Sequence, residues 1–121
     1  CARTGCGLLV DVNNIHVSAN NLGYSAETYI DAIPATLVAE IHLAGHAPDP
    51  ALGADLLIDT HGAPVDDAVW RLYRRLIART GPRPTLIERD DNIPAYADLV
   101  TERDAAARIL AVAQEATLVP A

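Results

Sequence analysis

The chain has 121 residues, of which 50% are hydrophobic, and its 9 basic and 16 acidic side chains give a formal net charge of −7. This length suffices for one globular domain, and the acidic balance excludes the basic surface that nucleic acid or anionic lipid requires. The sequence contains no apolar run long enough to span a membrane and no signal-peptide pattern. We therefore expect a soluble, cytoplasmic protein with no nucleic-acid or membrane partner.

The first half of the chain predicts three strands, one helix and one loop. The apolar run GLLVDVN (7–13) begins with glycine and is typical of a buried strand. Ser25 is placed to cap a short helix over 26–33, which Pro34 ends. Two more apolar runs follow, separated by the Pro/Gly-rich loop APDPALGA; they are VAEIHLAG (38–45) and ADLLIDTHG (54–62).

The next segment predicts a helix and a fourth strand. Asp66 or Asp67 is placed to cap a helix over 68–80, whose apolar side chains recur at helical spacing. Gly81 follows that helix and suits its end. The run PTLIERD (84–90) then has the length and composition of another buried strand.

The end of the chain predicts a last helix and a tail. Pro94 suits the first turn of the helix, and the stretch 99–110 fits either one helix or two. We expect residues 1–115 to form the domain and 116–121 to be a loose tail. Strands that alternate with helices indicate an α/β fold with right-handed crossovers and a parallel sheet.

Polar side chains stand at the C-terminal end of every predicted strand. In a parallel sheet these ends meet at one rim, where the sites of α/β proteins lie. Side chains two residues apart on a strand share a face. On this rule Asp11 shares a face with Asn13, Glu40 with His42, and Asp59 with His61. The groups expected at the rim are Asp11, Asn13, His42, Asp59, His61 and Glu88, with His46, Asp90, Asp91 and Asn92 in the loops above.

These polar groups predict a metal site. Burying carboxylates and imidazoles without partners costs on the order of several kcal/mol each, and a divalent ion removes that cost. A set of nitrogen and oxygen donors without thiolate suits iron, manganese or zinc, and there are enough donors for more than one ion. Simpler interpretations stay open: DTHG (59–62) as a turn in which Gly62 takes positive φ, His16 as a surface residue, and Cys1 and Cys6 as buried or spectator thiols.

Four stretches of the chain, in this order and spacing, together resemble a known family. They are TGCGLLVDVNNIHVSANN, EIHLAGH, LLIDTHGAPVDDAVWRLY and GPRPTLIERDDNIP, covering residues 4 to about 95. The chain is similar there to the family once called domain of unknown function 692, the multinuclear non-heme iron-dependent oxidative enzymes. The resemblance implies a (β/α)8 barrel of the triose-phosphate-isomerase type, of which this chain supplies only the C-terminal half, about four parallel strands.

The resemblance also implies a chemistry and a substrate class. Family members use two or three irons and dioxygen to oxidise cysteine-containing precursor peptides in ribosomal natural-product biosynthesis, often with a small partner protein that presents the peptide. His46 and Asp90 are then candidate catalytic groups, which support the ligands or face the substrate. Many members have Trp where this chain has Arg89, an exchange expected to alter substrate contacts. The implied metal ligands are Asn13, His42, Asp59, His61 and Glu88.

Because the family has further ligands in its N-terminal half, this chain alone is expected to be an inactive fragment that self-associates or has lost the remainder. Two other functions fit the same residues. One is a xylose-isomerase-like barrel, an isomerase or hydrolase that uses zinc, manganese or magnesium without dioxygen. The other is a module that binds metal or peptide and has no catalytic activity.

Overall fold

The structure, a computed structural model, describes residues 1–118 and has an α/β fold. Along the described residues, two short helices separate the first two strands, a hairpin follows, and two longer helices flank the last strand. The elements are β1 (Leu8–Asp11), α1 (Val12–Leu22), α2 (Ala26–Ala32), a 3-10 turn (Ala35–Leu37), β2 (Val38–Leu43), β3 (Ala47–Asp49), β4 (Gly53–Ile58), α3 (Asp67–Thr80), β5 (Thr85–Ile87) and α4 (Tyr96–Leu118).

Three strands form the predicted parallel sheet, in the order β1, β2, β5. His42 on β2 pairs with Asp11 on β1 and with Leu86 on β5, so neighbouring strands end at the same edge. The parallel α/β arrangement inferred from the sequence is therefore confirmed. The crossovers are helical, as parallel strands require.

The third predicted strand does not join this sheet. Instead β4 pairs antiparallel with β3, which lies inside the segment expected to be a loop. The reason is a tight turn, in which the Asp49 carboxylate accepts hydrogen bonds from the backbone N–H groups of Ala51 and Leu52 at 2.8 and 2.9 Å. The Asn21 side chain also accepts from the N–H of Leu57 and donates to its C=O, each at 2.8 Å. These two bonds take the place of a neighbouring strand. Residues 1–118 thus contribute three parallel strands rather than about four.

The first predicted strand ends earlier than expected, at Asp11. Its carboxylate accepts a hydrogen bond from the backbone N–H of Asn14 at 2.8 Å and caps α1, a helix that the sequence pattern did not predict. Asn13 consequently lies in the first turn of a helix. The expectation that Asp11 and Asn13 share one face of a strand is wrong.

Helices α2 and α3 begin where their caps were predicted, whereas α4 begins at Tyr96, so Pro94 lies before the helix and not in its first turn. The Ser25 hydroxyl accepts from the Thr28 N–H at 3.1 Å, and the Asp66 carboxylate accepts from the Ala68 N–H at 2.7 Å. The last helix is continuous rather than two, and it extends to Leu118. Residues 116–118 of the expected tail are therefore helical, while 119–121 lie outside the described residues. Among the described helices, none combines the length and apolarity needed to cross a membrane.

One face of the sheet is covered by helices and the other is not. Val10 and Ile41, which are register partners, are buried in the core with Tyr73 of α3. On the opposite face, Leu9 and Leu86 are 53% and 46% exposed. That second face also carries Asp11 and His42, because they alternate with the buried residues along β1 and β2.

Gly45 follows β2 at a point where a second segment of chain passes very close. A methyl group there would collide with the carbonyl oxygen of Ala63 and would lie 2.5 Å from that of Pro64. Gly45→Ala should therefore lower the free energy of unfolding by about 3 kcal/mol, as overpacking against backbone does. Denaturant unfolding measures this loss.

Gly62→Ala is the matched control for this substitution. Its added methyl group would be tight against the end of the Asn92 side chain alone, at 3.1 Å, and that side chain can move, while Asp91 Cβ and Thr60 Oγ1 would lie at ordinary contact distances of 3.5 and 3.8 Å. We expect a clearly smaller loss than for Gly45→Ala. Equal losses for the two variants would contradict the close approach at Gly45.

Candidate metal centre

The cluster at the sheet edge is organised around the carboxylate of Glu88. This residue directly follows β5, and its N–H donates to the Leu43 carbonyl at 2.8 Å, which continues the pairing with β2. One carboxylate oxygen lies 3.3 Å from His42 Nδ1 and the other 3.4 Å from His61 Nδ1. A single acidic group therefore contacts two imidazoles that come from different parts of the chain.

His61 is held in a backbone conformation that residues other than glycine rarely adopt. Its φ is +51°, so the left-handed position in DTHG falls on His61 and not on Gly62. Two backbone bonds fix it: its N–H donates to the Gly45 carbonyl at 3.0 Å, and its carbonyl accepts from the Asp90 N–H at 3.0 Å. The imidazole reaches Asp59 Oδ1 at 3.1 Å and Asp90 Oδ2 at 3.1 Å.

Asn13 is fully buried and joins the cluster through Asp59. Its Nδ2 donates to Asp59 Oδ1 at 2.5 Å and more weakly to the Gly45 carbonyl at 3.4 Å. Its Oδ1 accepts from His46 Nδ1 at 2.9 Å. The neighbouring Asn14 donates to the second oxygen of Asp59 at 3.2 Å. In this arrangement the asparagines orient the Asp59 carboxylate.

Asp11 lies closer to the cluster than the sequence reasoning assumed. It was expected at the rim as a neighbour of a ligand, yet ligand atoms of Asp11, His61 and Glu88 all lie within 4.8 Å of one another. The position of Asp11 at the end of β1 could have indicated this, because there it pairs in register with His42. Its second role, as the cap of α1, fixes where its carboxylate stands.

The remaining candidates lie at different distances from this cluster. Asp90 contacts His61 directly, and its side chain is 73% exposed. His46 reaches the cluster only through Asn13, and its ring packs against His16 with centroids 4.9 Å apart. His16 lies in α1 and is half-buried, so it is not a surface residue after a strand.

Arg89 points away from the site. Its side chain is only 7% exposed and forms an ion pair of 2.9 Å with Glu102 of α4. Glu102 also accepts a hydrogen bond from the Val65 N–H at 2.7 Å. The expected effect of Arg89 on substrate contacts is therefore not a direct one, because its guanidinium lies between β5 and α4.

The donor set fits a transition-metal ion. Imidazole nitrogens and carboxylate oxygens surround one small volume, without a thiolate, and most of them are half-buried. Several carboxylates this close together repel one another unless protonated imidazoles or a cation offset their charge. The arrangement can therefore hold a divalent cation, and its carboxylates and second imidazole can serve more than one.

Comparisons with known proteins identify sequence relatives of the chain. A family model described as RiPP precursor modification enzyme MbnB/TglH/ChrH matches residues 1–111. A UPF0276 protein of Caulobacter vibrioides strain NA1000 is 69% identical over 114 residues, which are 94% of this chain and 40% of the relative. A UPF0276 protein of Bordetella bronchiseptica is 57% identical over 111 residues, 91% of this chain and 38% of the relative. The chain thus spans about 40% of the length of such relatives.

The half-buried His16 provides a pH test of this region. Burial lowers its pKa below the ordinary value, and the nearby His46 lowers it further. The unfolded chain takes up a proton at the ordinary pKa of about 6.5, while folded His16 takes up its proton only at lower pH. His16 should therefore make folding less favourable as the pH falls below about 6.5.

His16→Gln isolates this contribution, because glutamine stays neutral at every pH. We expect the unfolding free energy of the parent to fall more than that of the variant between pH 7.5 and pH 5.5, measured by denaturant titration. Parallel curves for the two proteins would contradict the lowered pKa.

Proposed function

This chain belongs to the family of RiPP precursor modification enzymes, and from that membership we propose an iron-dependent oxidation of cysteine-containing precursor peptides. Because the chain spans about 40% of the length of its relatives, we assign this activity to the whole protein. The chain alone is expected to be inactive, since further ligands would come from the other part of the barrel.

The contact of Glu88 with two imidazoles carries the proposal. Its two oxygens lie 3.3 Å from His42 and 3.4 Å from His61. Glu88, His42 and His61 would together hold metal, and their number supports a centre of two or three irons. The same nitrogen and oxygen donors also accept zinc or manganese, so the metal must be tested directly.

We further propose that residues 1–115 are the C-terminal half of a (β/α)8 barrel. The support is the sheet: its strands are parallel, and Asp11, His42 and Glu88 lie at their carboxyl ends, where barrel enzymes place their sites. The face with Leu9 and Leu86 lacks a helix layer and would line the inside of the barrel. A half-barrel exposed in this way would be expected to self-associate.

Each residue then has a role that follows from its position. His42, Asp59, His61 and Glu88 would hold the irons, with Asn13 as the fifth ligand and Asp11 added from the geometry. When bound, the irons would supply the redox chemistry with dioxygen.

The protein groups around these ligands would bind and orient the peptide. Asp90 is exposed and hydrogen-bonded to His61, so we assign it to contact with the peptide. His46 donates to Asn13 and keeps that amide in one orientation. A small partner protein that presents the peptide would approach the site from the side of the exposed Asp90.

Substitution of the two histidines tests the metal centre. In a full-length protein that contains residues 1–121, His42→Ala and His61→Ala should each weaken metal affinity about tenfold or more and so lower the bound metal per protein, because each removes a ligand. Metal content after anaerobic purification measures the effect. His16→Ala, which removes an imidazole outside the cluster, should keep the parent content, and unchanged content in both ligand variants would refute the assignment.

Oxygen consumption tests the reaction itself. The iron-loaded full-length protein should consume dioxygen with the cysteine-containing peptide encoded beside its gene and none with the same peptide after Cys→Ser substitution. Stoichiometric zinc or manganese without oxygen uptake would favour an isomerase or hydrolase instead. Peptide binding without oxygen uptake at any metal would favour a module without catalytic activity.

A further inference from the structure

A pair of thiols lies at the opposite end of β1 from the metal centre. Cys6 Sγ is 3.7 Å from Cys1 Sγ, and neither cysteine is buried. A turn brings them together: the Cys1 carbonyl accepts from the Gly5 N–H at 2.8 Å and from the Thr4 N–H at 3.2 Å. Gly5 allows this turn because its φ of +74° is the left-handed conformation that glycine adopts without strain.

The two thiols are not equivalent. Cys6 is exposed, and the Thr4 hydroxyl donates a hydrogen bond to its sulfur at 3.0 Å. That bond stabilises the thiolate and lowers the pKa of the Cys6 thiol. Because the thiolate is the reactive form, Cys6 should attack an external disulfide first and Cys1 should follow.

We propose that Cys1 and Cys6 form a reversible dithiol–disulfide site whose oxidant is a low-molecular-weight disulfide such as glutathione disulfide. The Cys6 thiolate attacks one sulfur of that compound, whose S–S bond breaks and releases one thiol, which takes the proton from Cys6. Cys1 then attacks Cys6 Sγ, and the second thiol leaves with the proton of Cys1. Both cysteines are oxidised, and one external disulfide is reduced to two thiols.

The geometry permits this ring closure. A disulfide bond measures about 2.05 Å between its sulfurs, so the two atoms must approach by about 1.6 Å, which rotation of exposed side chains allows. The ring would close just before β1, which begins at Leu8. It includes none of the residues of the metal cluster, so this site does not depend on the proposed iron chemistry.

Mass spectrometry of the chain tests the proposal. After incubation with glutathione disulfide and alkylation with N-ethylmaleimide, the parent should have lost two hydrogen atoms, carry no maleimide, and regain both thiols with dithiothreitol. Cys1→Ser should instead accumulate a glutathione adduct on Cys6, because the second thiol is missing. A lasting glutathione adduct, two maleimides or a disulfide-linked dimer in the parent would overturn the proposal.

Thr4 provides a matched control for the reactivity of Cys6. In the Cys1→Ser background, Thr4→Val should slow the reaction of Cys6 with glutathione disulfide at pH 7 severalfold, since it removes the hydroxyl. In the same background, Thr4→Ser should keep the rate of the Cys1→Ser protein with Thr4, since serine also has a hydroxyl. If the Cys1→Ser proteins with Thr4 and with Thr4→Val reacted at equal rates, the hydroxyl would not activate this thiol.

Discussion

The contact of one carboxylate, Glu88, with two imidazoles is the constraint on which the arrangement of this protein depends. His42 reaches it because β2 and β5 are parallel and in register, which the bond from the Glu88 N–H to the Leu43 carbonyl extends by one residue. His61 reaches it from a loop that no strand of the sheet supplies. The sheet therefore positions His42, and the packing of the loop positions His61.

The loop places His61 there in a backbone conformation that costs free energy, and hydrogen bonds of the surrounding backbone offset that cost. A left-handed conformation costs about 1–2 kcal/mol for a residue with a side chain, and His61 adopts it. Its bonds to the Gly45 carbonyl and from the Asp90 N–H stabilise that conformation. Gly45 matters twice, since its carbonyl also accepts from Asn13 and its missing side chain lets the loop approach. Strain of this kind at a cluster of ligand-type side chains is typical of functional sites.

The sequence predicted the parallel sheet and most groups at its edge, but it did not predict the local structure that positions these groups. Apolar runs identify β1, β2 and β5 because burial requires such residues there. Alternation along a strand could not show that Asp11 ends β1 by capping a helix, and this changed the surroundings of Asn13. The prolines around β3 suggested a loop, yet a short edge strand tolerates Pro48, because the edge of a sheet does not require every N–H. These differences come from hydrogen bonds between distant residues, which a local pattern does not contain.

The uncovered face of the sheet affects both the stability of the protein and its ability to bind metal. Parallel sheets are normally covered on both faces, yet here Leu9 and Leu86 remain exposed beside a cluster rich in carboxylates. Further strands would bury the leucines, and they would also take water from Asp11 and Glu88. Desolvated carboxylates need a cation, so completing the barrel that we propose would strengthen metal binding, and bound metal would in turn stabilise that barrel. Folding and metal uptake should then be coupled through the same face.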